Sequence, residues 1–464
     1  MGAAVSHWPL ARAVSMKGQL GVVSGTALAT VVARRLQMGD AGGHIRRALA
    51  NFPEPRLGER VISAWYRAEG KQDSEPFKMH PMYTLHPAQE LLELTVAANF
   101  AEVYLAKEGH DGVVGLNLLE KIRLPNLPSL YGAMLAGVDY VLMGAGIPME
   151  IPGALDALAK HDPARLRIPV EGAEKGEECF YEFDPRSIVP QPAGDLKRPL
   201  FLAIIASVLL ATALVKKASG RVDGFVIEGP TAGGHNAPPR GPLTLSESGE
   251  PVYGPKDEVD LAKIKEIGLP FWLAGSCGSP ERYREALAAG AEGIQVGTAF
   301  AFCEESGFVP WVREAAMAKI ADGTMTVFTD PKASPTGFPF KVASIPGTLS
   351  DPDLYQERTR MCDLGYLRQA YRKDDGTIGF RCAAEQTDQF EKKGGDADEI
   401  SGRKCLCNAL SAAVGYPQVQ KDHSVELPLI TAGDDLVHLG RFLKNGATSY
   451  TAADVIATLT GSGA

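Results

Sequence analysis

Seven short apolar runs, each followed by a segment with a helical pattern, constrain the fold of this chain more than any other feature of its sequence. Strands that alternate with helices indicate a parallel sheet, and continuous apolar runs are typical of strands buried on both faces. The expected strands span residues 20–27, 112–119, 138–146, 201–207, 223–229, 270–276 and 293–300. Glycines cluster where these runs end, and we expect the functional site there, because such folds place their sites at the carboxyl ends of the strands.

The number of runs leaves the expected fold one strand short of a closed barrel. A (β/α)8 barrel needs eight strands, whereas the sequence offers seven, and the helical pattern at residues 7–18 follows the start of the chain directly. We therefore predict an α/β fold of the (β/α)8 TIM-barrel class whose first strand is missing or truncated. Either the eighth strand comes from elsewhere in the chain or it lies upstream of Met1, and we expect the second.

Three regions depart from the alternation of strand and helix, and one of them is a polar excursion at residues 161–198. Residues 39–109 have mostly helical patterns, which predicts a helical insertion between the first two strands. After about residue 330, proline, glycine and charged residues become more frequent and no clear period remains. We expect a barrel domain at residues 1–330 and a C-terminal extension with four cysteines at residues 331–464.

Charge and cysteine usage exclude several classes of function. The chain has 464 residues and a formal net charge of −9, and it has no basic stripe of the kind that binds nucleic acid. Seven cysteines in a large chain without a secretory signal pattern indicate a reducing, cytoplasmic setting. The apolar run at residues 199–217 is short for a membrane span and divides into a strand and a helix. We expect a small-molecule substrate, neither nucleic acid nor membrane as a partner, and leave a homo-oligomer open.

The tetrapeptide "AGGH" occurs twice, and only its surroundings separate the two copies. His44 follows a charged stretch and precedes a helical pattern, which favours a helix start. His235 follows the apolar run at residues 223–229, so it lies at the carboxyl end of a strand. The two preceding glycines let the backbone approach a flat ligand closely, and a histidine there can act as a base near neutral pH. The alternative is a turn histidine that bonds to a neighbouring carbonyl.

Small residues follow the last two expected strands. Gly275 and Ser276 come after one, and Gly297 and Thr298 come after the other. Barrels hold a phosphate at this position with backbone N–H groups and a helix N-terminus. Asn117, which ends the "GLN" segment, is placed to reach the same cofactor from across the barrel. Ordinary turn residues are the alternative at each position.

Four motifs make the sequence resemble a known family. The segments "VIEGPTAGGHN", "LAGSCGSPE", "GIQVGTAF" and "GLNLLEK" are similar to those of the nitronate monooxygenase (2-nitropropane dioxygenase-like) family of FMN-dependent TIM barrels, and the resemblance covers most of residues 1–345. It implies that His235 is the active-site base or proton relay. The family often has a second glycine where Ser276 stands. The flavin contacts implied by the resemblance are Met1, Gly2, Asn117, Glu228, Gly233, Gly234, Gly275, Ser276, Gly297 and Thr298.

The activity that the resemblance implies is flavin redox chemistry. FMN would take electrons from an alkyl nitronate and pass them to O₂, while the protein supplies orientation and a base. One alternative is an enoyl reductase or an acyl-thioester dehydrogenase/isomerase of the same superfamily. Another is a flavin- and iron–sulfur-bearing electron-transfer subunit without its own substrate. His235→Ala separates these classes, because only the enzymes would lose turnover.

Four cysteines of the extension form a candidate metal site, namely Cys362, Cys382, Cys405 and Cys407. Thiolates select zinc or iron–sulfur clusters, but the spacing fits no standard zinc finger, and four buried thiols are the alternative. A flavin and [4Fe–4S] acyl-carrier-protein dehydrogenase/isomerase of the same superfamily has a similar order of motifs, with "SPTGFPFK" before scattered cysteines and "CLCNAL". This resemblance favours a [4Fe–4S] cluster over zinc.

Overall fold

The structure, a computed structural model, describes residues 3–444 and 446–461. The strands are β1 Gly21–Ser24, β2 Val114–Leu119, β3 Tyr140–Gly144, β4 Ala164–Arg167, β5 Val170–Glu171, β6 Phe180–Phe183, β7 Leu200–Ile205, β8 Gly224–Glu228, β9 Phe271–Ala274, β10 Gly293–Gln295, β11 Val327–Asp330, β12 Phe340–Ala343, β13 Gln369–Arg372 and β14 Ile378–Arg381. The α-helices are α1 Trp8–Ser15, α2 Leu28–Gln37, α3 His44–Leu49, α4 Pro55–Trp65, α5 Gln89–Lys107, α6 Asn126–Leu135, α7 Ile151–Ala159, α8 Val208–Lys217, α9 Leu261–Glu266, α10 Pro280–Ala288, α11 Thr298–Ala301, α12 Pro310–Ala321, α13 Pro352–Glu357, α14 Thr387–Lys392, α15 Leu406–Ala413 and α16 Ala452–Thr460.

The seven predicted strands form one parallel sheet. Its strand order is β1, β2, β3, β7, β8, β9 and β10, and each neighbouring pair is parallel. Within the described ranges no strand joins β10 to β1, so the sheet curves without closing. The prediction of an α/β fold with seven parallel strands is confirmed, and the eighth strand expected upstream of Met1 falls outside the described residues.

The apolar run at residues 199–217 divides as predicted into β7 and α8. The Ser207 hydroxyl accepts a hydrogen bond of 3.1 Å from the backbone N–H of Leu210, which caps the first turn of the helix. Ser279 caps α10 in the same way, through the backbone N–H of Arg282. No helix in residues 3–444 or 446–461 is long and apolar enough to cross a membrane.

The predicted insertion at residues 39–109 is only partly helical. Helices α3, α4 and α5 lie within it, whereas residues 66–88 contain no helix. The longest, α5, packs against α1 and α6. It is buried along most of its length, so this helix belongs to the layer that covers the sheet.

The C-terminal extension packs closely on the parallel sheet domain. Strands β11 and β12 form an antiparallel hairpin across the expected boundary, and β13 pairs with β5, which lies between β3 and β7 in the chain. One buried cluster combines Ala299 and Phe302 with Leu436 and Val455 from the extension. The domain boundary near residue 330 stays a prediction.

Candidate active site

The "AGGH" turn that follows β8 is shaped by the C-terminal extension. A Cβ on Gly233 would lie 2.7 Å from the backbone nitrogen of Gly433, so only glycine fits at this close approach. Gly234 has a φ of +83°, and its N–H donates a 2.8 Å hydrogen bond to the Thr431 hydroxyl. Thr431, which is 197 positions from Gly234 along the chain, therefore holds the turn that carries His235.

The hairpin of β11 and β12 holds the other side of the same turn. The N–H of Asn236 donates to the carbonyl of Pro339 at 2.9 Å, and the N–H of Lys341 donates to the carbonyl of Gly234 at 2.9 Å. The ring of Phe340 meets the His235 imidazole edge to face, with 4.9 Å between their centroids. These contacts hold His235 in place at the carboxyl end of β8.

The His235 imidazole is neutral and bonded to a hydroxyl. Its Nε2 lies 2.7 Å from the Ser334 Oγ. Among the described residues, neither ring nitrogen bonds to a neighbouring carbonyl, which was the alternative for a turn histidine. Burial and, to a smaller extent, the positive charge of Lys121 together lower the pKa of His235 to about 3. A neutral imidazole can accept a proton from a substrate.

Two cavities meet beside this turn. The larger has a volume of about 340 Å³ and the smaller about 100 Å³. Glu228, Gly233 and Gly234 line both cavities. His235 and Asn117 line the smaller one, whereas the larger one is lined by the expected phosphate-binding residues, Gly275, Ser276, Gly297 and Thr298.

The structure thus brings most of the expected flavin contacts together with His235. All of them except Met1 and Gly2 line one of the two cavities or both. Met1 and Gly2 lie outside the described residues. The roles of the contacts that meet at the cavities stay predictions, since their position alone does not identify the ligand.

The larger cavity has features of a ligand site. The Ser276 hydroxyl is buried and has no hydrogen-bond partner among the described residues, which is costly unless a ligand or water satisfies it. A Cβ on Gly297 would meet no atom within 4 Å, so the backbone there is open to the cavity. The Thr298 hydroxyl already accepts a 2.8 Å hydrogen bond from the N–H of Gly433. Ser276 and Gly297 are therefore better placed than Thr298 to contact a phosphate.

An acidic side chain that the sequence did not point to lies at this cavity. Asp435 lines it, and its Oδ2 would be 2.8 Å from a Cβ on Gly278. Burial raises the pKa of the Asp435 carboxyl, which favours its neutral form.

Glu228 stands where the two cavities meet and has a strongly shifted carboxyl. Burial raises its pKa to about 7, so the group exchanges protons near neutral pH. The sequence assigned Glu228 only a flavin contact. Its position and its pKa make it a second group that can hold or release a proton beside His235.

The four cysteines of the extension gather around one small cavity. Cys362, Cys382, Cys405 and Cys407 all line it, and Cys407 also lines the cavity that contains His235. Burial raises the pKa of every one of these thiols, to about 12 for Cys362. In residues 3–444 and 446–461, no three His, Cys, Asp or Glu side chains are grouped closely enough to hold a metal ion. Neither the iron–sulfur prediction nor the zinc alternative therefore finds support in the described part of the chain.

Several residues of the site come from the extension and were missed by the sequence reasoning. Ser334, Phe340, Tyr366 and Thr431 contact His235, its turn or the smaller cavity. The one available signal was the segment "SPTGFPFK", which carries the first two of them. Nothing in the local pattern of this segment shows which strand end it reaches.

Comparison with known proteins supports the resemblance over part of the chain. The model of the family described as nitronate monooxygenase matches residues 183–334, a segment that includes β8, His235 and the loops after β9 and β10. No curated protein matches the chain. The resemblance predicted from the motifs is confirmed for this segment.

Solved structures show similarity at low identity. FabK from Thermotoga maritima has a TM-score of 0.46 at 15% identity, over 98% of this chain and 88% of that one. Nitroalkane oxidase from Streptomyces ansochromogenes has a TM-score of 0.44 at 13% identity, over 99% and 93% of the two chains. The enoyl reductase domain of MlnA from Bacillus amyloliquefaciens has a TM-score of 0.45 at 11% identity, over 99% and 91%. Similarity at this level carries no conclusion, so the assignment rests on the family match: residues 183–334 match the nitronate monooxygenase family, and the chain is a flavin-dependent oxidoreductase.

Proposed function

We propose that this protein binds FMN and oxidises alkyl nitronates with O₂. The observation that carries the proposal is the position of His235, a half-buried neutral imidazole at the carboxyl end of β8, in a cavity that meets a larger one beside Gly233 and Gly234. In this arrangement a flat cofactor would extend from the larger cavity toward the histidine. Bound FMN would supply the redox chemistry by taking two electrons from the substrate.

The residues of the chain would bind the phosphate, take the proton and orient the substrate. Ser276 and Gly297 would hold the phosphate, because the unpartnered Ser276 hydroxyl and the open backbone at Gly297 are groups left for it among the described residues. His235 would take the proton from the α-carbon of a neutral nitroalkane or bond to the nitro oxygens of a nitronate. Asn117 lines the same cavity and has an amide that can orient either form.

The direct test mixes the purified FMN-loaded protein with a simple alkyl nitronate in the absence of air. We expect the visible absorbance of the flavin to bleach and to return when air is admitted, because nitronate would reduce the cofactor and O₂ would reoxidise it. Bleaching by dithionite in a parallel sample checks that the flavin is reducible. A flavin that bleaches with dithionite but stays yellow with nitronate would reject nitronate oxidation.

One observation favours a second candidate, an acyl-thioester dehydrogenase/isomerase or an enoyl reductase. The cavity beside His235 is lined by apolar side chains, among them Leu119, Ile122, Ile204 and Leu410, and it adjoins the four cysteines through Cys407. An apolar wall suits an acyl chain, and nitronate oxidation needs no iron–sulfur centre. Bleaching of the flavin by a saturated acyl thioester, or its reoxidation by an enoyl thioester, would favour this candidate.

We further propose that Cys362, Cys382, Cys405 and Cys407 hold a [4Fe–4S] cluster. A zinc ion needs its thiolates about 2.3 Å away, whereas a cluster of four irons takes one thiolate at each iron and so holds them farther apart. Arg358 lies close enough to Cys405 for its charge to act on that thiol, and Arg368 does so at Cys362. These two cations would offset the negative charge that four thiolates bring.

The cysteine proposal predicts a specific loss of iron. After anaerobic reconstitution we expect about four irons per chain in the wild type, and a large loss of iron and acid-labile sulfide in Cys382→Ser or Cys405→Ser. Cys277→Ser is the matched control, because Cys277 lies at the larger cavity and away from the four. If Cys405→Ser retained as much iron and sulfide as the wild type, the proposal would fail.

The architecture and the cellular setting complete the proposal. We propose that the sheet is that of a (β/α)8 barrel, since its seven parallel strands are those of the predicted alternation. The seven cysteines are all free thiols, which supports the cytoplasm as the compartment.

A further inference from the structure

A pair of hydroxyl groups lies behind the His235 imidazole, on the side away from its free nitrogen. The Ser334 Oγ is 2.7 Å from the His235 Nε2 and 2.8 Å from the Thr336 Oγ1. The N–H of Thr336 also donates to the Ser334 Oγ, at 3.2 Å. The other ring nitrogen, Nδ1, makes no hydrogen bond to any residue within 3–444 or 446–461.

The backbone fixes the distance between Ser334 and His235. Ser334 is fully buried, with 0% of its surface exposed, and its carbonyl accepts a 2.7 Å hydrogen bond from Arg403. The loop that carries it joins β11 to β12, and β12 is tied to the histidine turn by the backbone hydrogen bonds of Asn236 and Lys341. The contact between hydroxyl and imidazole is therefore built before any substrate arrives, which is what a positioned catalytic group requires.

The direction of the hydrogen bond between the Ser334 hydroxyl and the His235 Nε2 decides whether Nδ1 can accept a proton. The Ser334 Oγ has two lone pairs and one hydrogen. One lone pair takes the N–H of Thr336, so the other can accept the Nε2–H of His235 if the hydroxyl hydrogen points to the Thr336 Oγ1. In that arrangement Nδ1 has a free lone pair. If the Ser334 hydroxyl donates to Nε2 instead, Nδ1 carries the hydrogen and cannot accept a proton.

We propose that Ser334, backed by Thr336, is a positioning residue that holds His235 in the tautomer with a basic Nδ1 and accepts a hydrogen bond from the imidazolium formed during proton abstraction; this rests on the proposed role of His235 as the base. When Nδ1 takes the proton, the C–H bond of a neutral nitroalkane breaks and its electron pair stays on the substrate as the nitronate. The Nε2–H remains on His235 and donates to the Ser334 Oγ. No other proton needs to move.

The charges near His235 give the neutral Ser334 hydroxyl beside Nε2 a specific function. The positive charge of Lys121 acts on the imidazole, and the Lys121 Nζ donates a 3.2 Å hydrogen bond to the carbonyl of Thr336. No carboxylate in the described residues is hydrogen-bonded to His235. A hydroxyl that accepts from Nε2 is therefore the group on this side that stabilises the imidazolium against the Lys121 charge.

Kinetics with two forms of one substrate test the role. Abstraction is needed for a neutral nitroalkane but not for its preformed nitronate. We expect Ser334→Ala to lower kcat for the nitroalkane by about tenfold or more, a part of the 10²–10⁴ that a positioned base contributes, with little change in KM and a smaller loss for the nitronate. Ser334→Thr keeps the hydroxyl and should restore most of the rate. Equal losses with both substrates, or no loss in Ser334→Ala, would overturn the proposal.

A control and a second readout separate this proposal from the proposed function. Ser350→Ala is the matched control, because Ser350 forms a similar hydroxyl pair with Thr348, at 2.8 Å, and lines neither cavity.

Nitrogen-15 NMR of the histidine side chains, with His235→Gln to assign the signal, reports the tautomer without any substrate. We expect His235 protonated at Nε2 in the wild type and in Ser334→Thr, and a mixture of tautomers in Ser334→Ala. If the wild type oxidised no nitro compound, the proposed function would fail; unchanged His235 shifts in Ser334→Ala would overturn the positioning role whatever the substrate.

Discussion

Replacing His235 by glutamine is expected to lower kcat/KM for a neutral nitroalkane by about 10²–10⁴-fold, the range that a positioned general base contributes. Glutamine keeps a polar side chain of similar reach but cannot accept the proton. Because burial lowers the pKa of His235 to about 3, the wild-type imidazole is neutral throughout the working pH range, and the loss would reflect the missing base and not a missing charge. Steady-state rates and anaerobic flavin reduction measure it.

The second copy of the tetrapeptide supplies the control for this prediction. His44 begins α3 and lines neither cavity, so His44→Gln should keep the wild-type rate and the same flavin content. We expect a smaller loss with the preformed nitronate in His235→Gln, since no proton has to be removed. Wild-type rates with the nitroalkane in His235→Gln would reject His235 as the base.

Removing the carboxylate of Glu102 is expected to destabilise the protein by about 3–5 kcal/mol, the usual cost of leaving one partner of a buried ion pair alone. Glu102 on α5 is fully buried, with 0% of its side chain exposed. Its Oε1 accepts a hydrogen bond from Arg35 on α2, and its Oε2 accepts one of 2.9 Å from the N–H of Trp8, where α1 begins. Glu102→Ala would leave the guanidinium uncompensated and the start of α1 without its acceptor. The midpoint of urea unfolding measures the effect.

A surface ion pair provides the comparison. Arg47 and Glu108 form a pair in which the side chains are 42% and 36% exposed. Water screens such a pair, so Glu108→Ala should cost no more than about 1 kcal/mol. If the two substitutions changed the unfolding midpoint equally, burial would not be the source of the Glu102 effect.

Local pattern was sufficient to predict the strands of the sheet. Each of the seven runs is apolar, because parallel strands are buried on both faces. Each run also ends near a glycine or a small polar residue. The division of residues 199–217 into β7 and α8 followed from the same logic, with Ser207 as the cap. The location of His235 after a strand was predictable for this reason.

The partners of His235 were not predictable, because they are distant along the chain. Ser334 is 99 residues from His235, and Thr431 is 197 residues from Gly234. Neither segment has a periodic pattern that fixes where it packs. The same holds for the four cysteines, whose spacing of 19, 22 and one residue matched no standard site, although the fold brings them to one cavity.

The sequence by itself determined the order of strands and the histidine turn, because these depend on interactions between residues close together in the chain. Only the tertiary structure decided the protonation state of the side chains in the site. Burial lowers the pKa of His235 and raises that of Glu228 at the same strand end, since desolvation disfavours whichever form is charged. That desolvation is produced in part by the extension folding over the sheet, and no short stretch of sequence contains it.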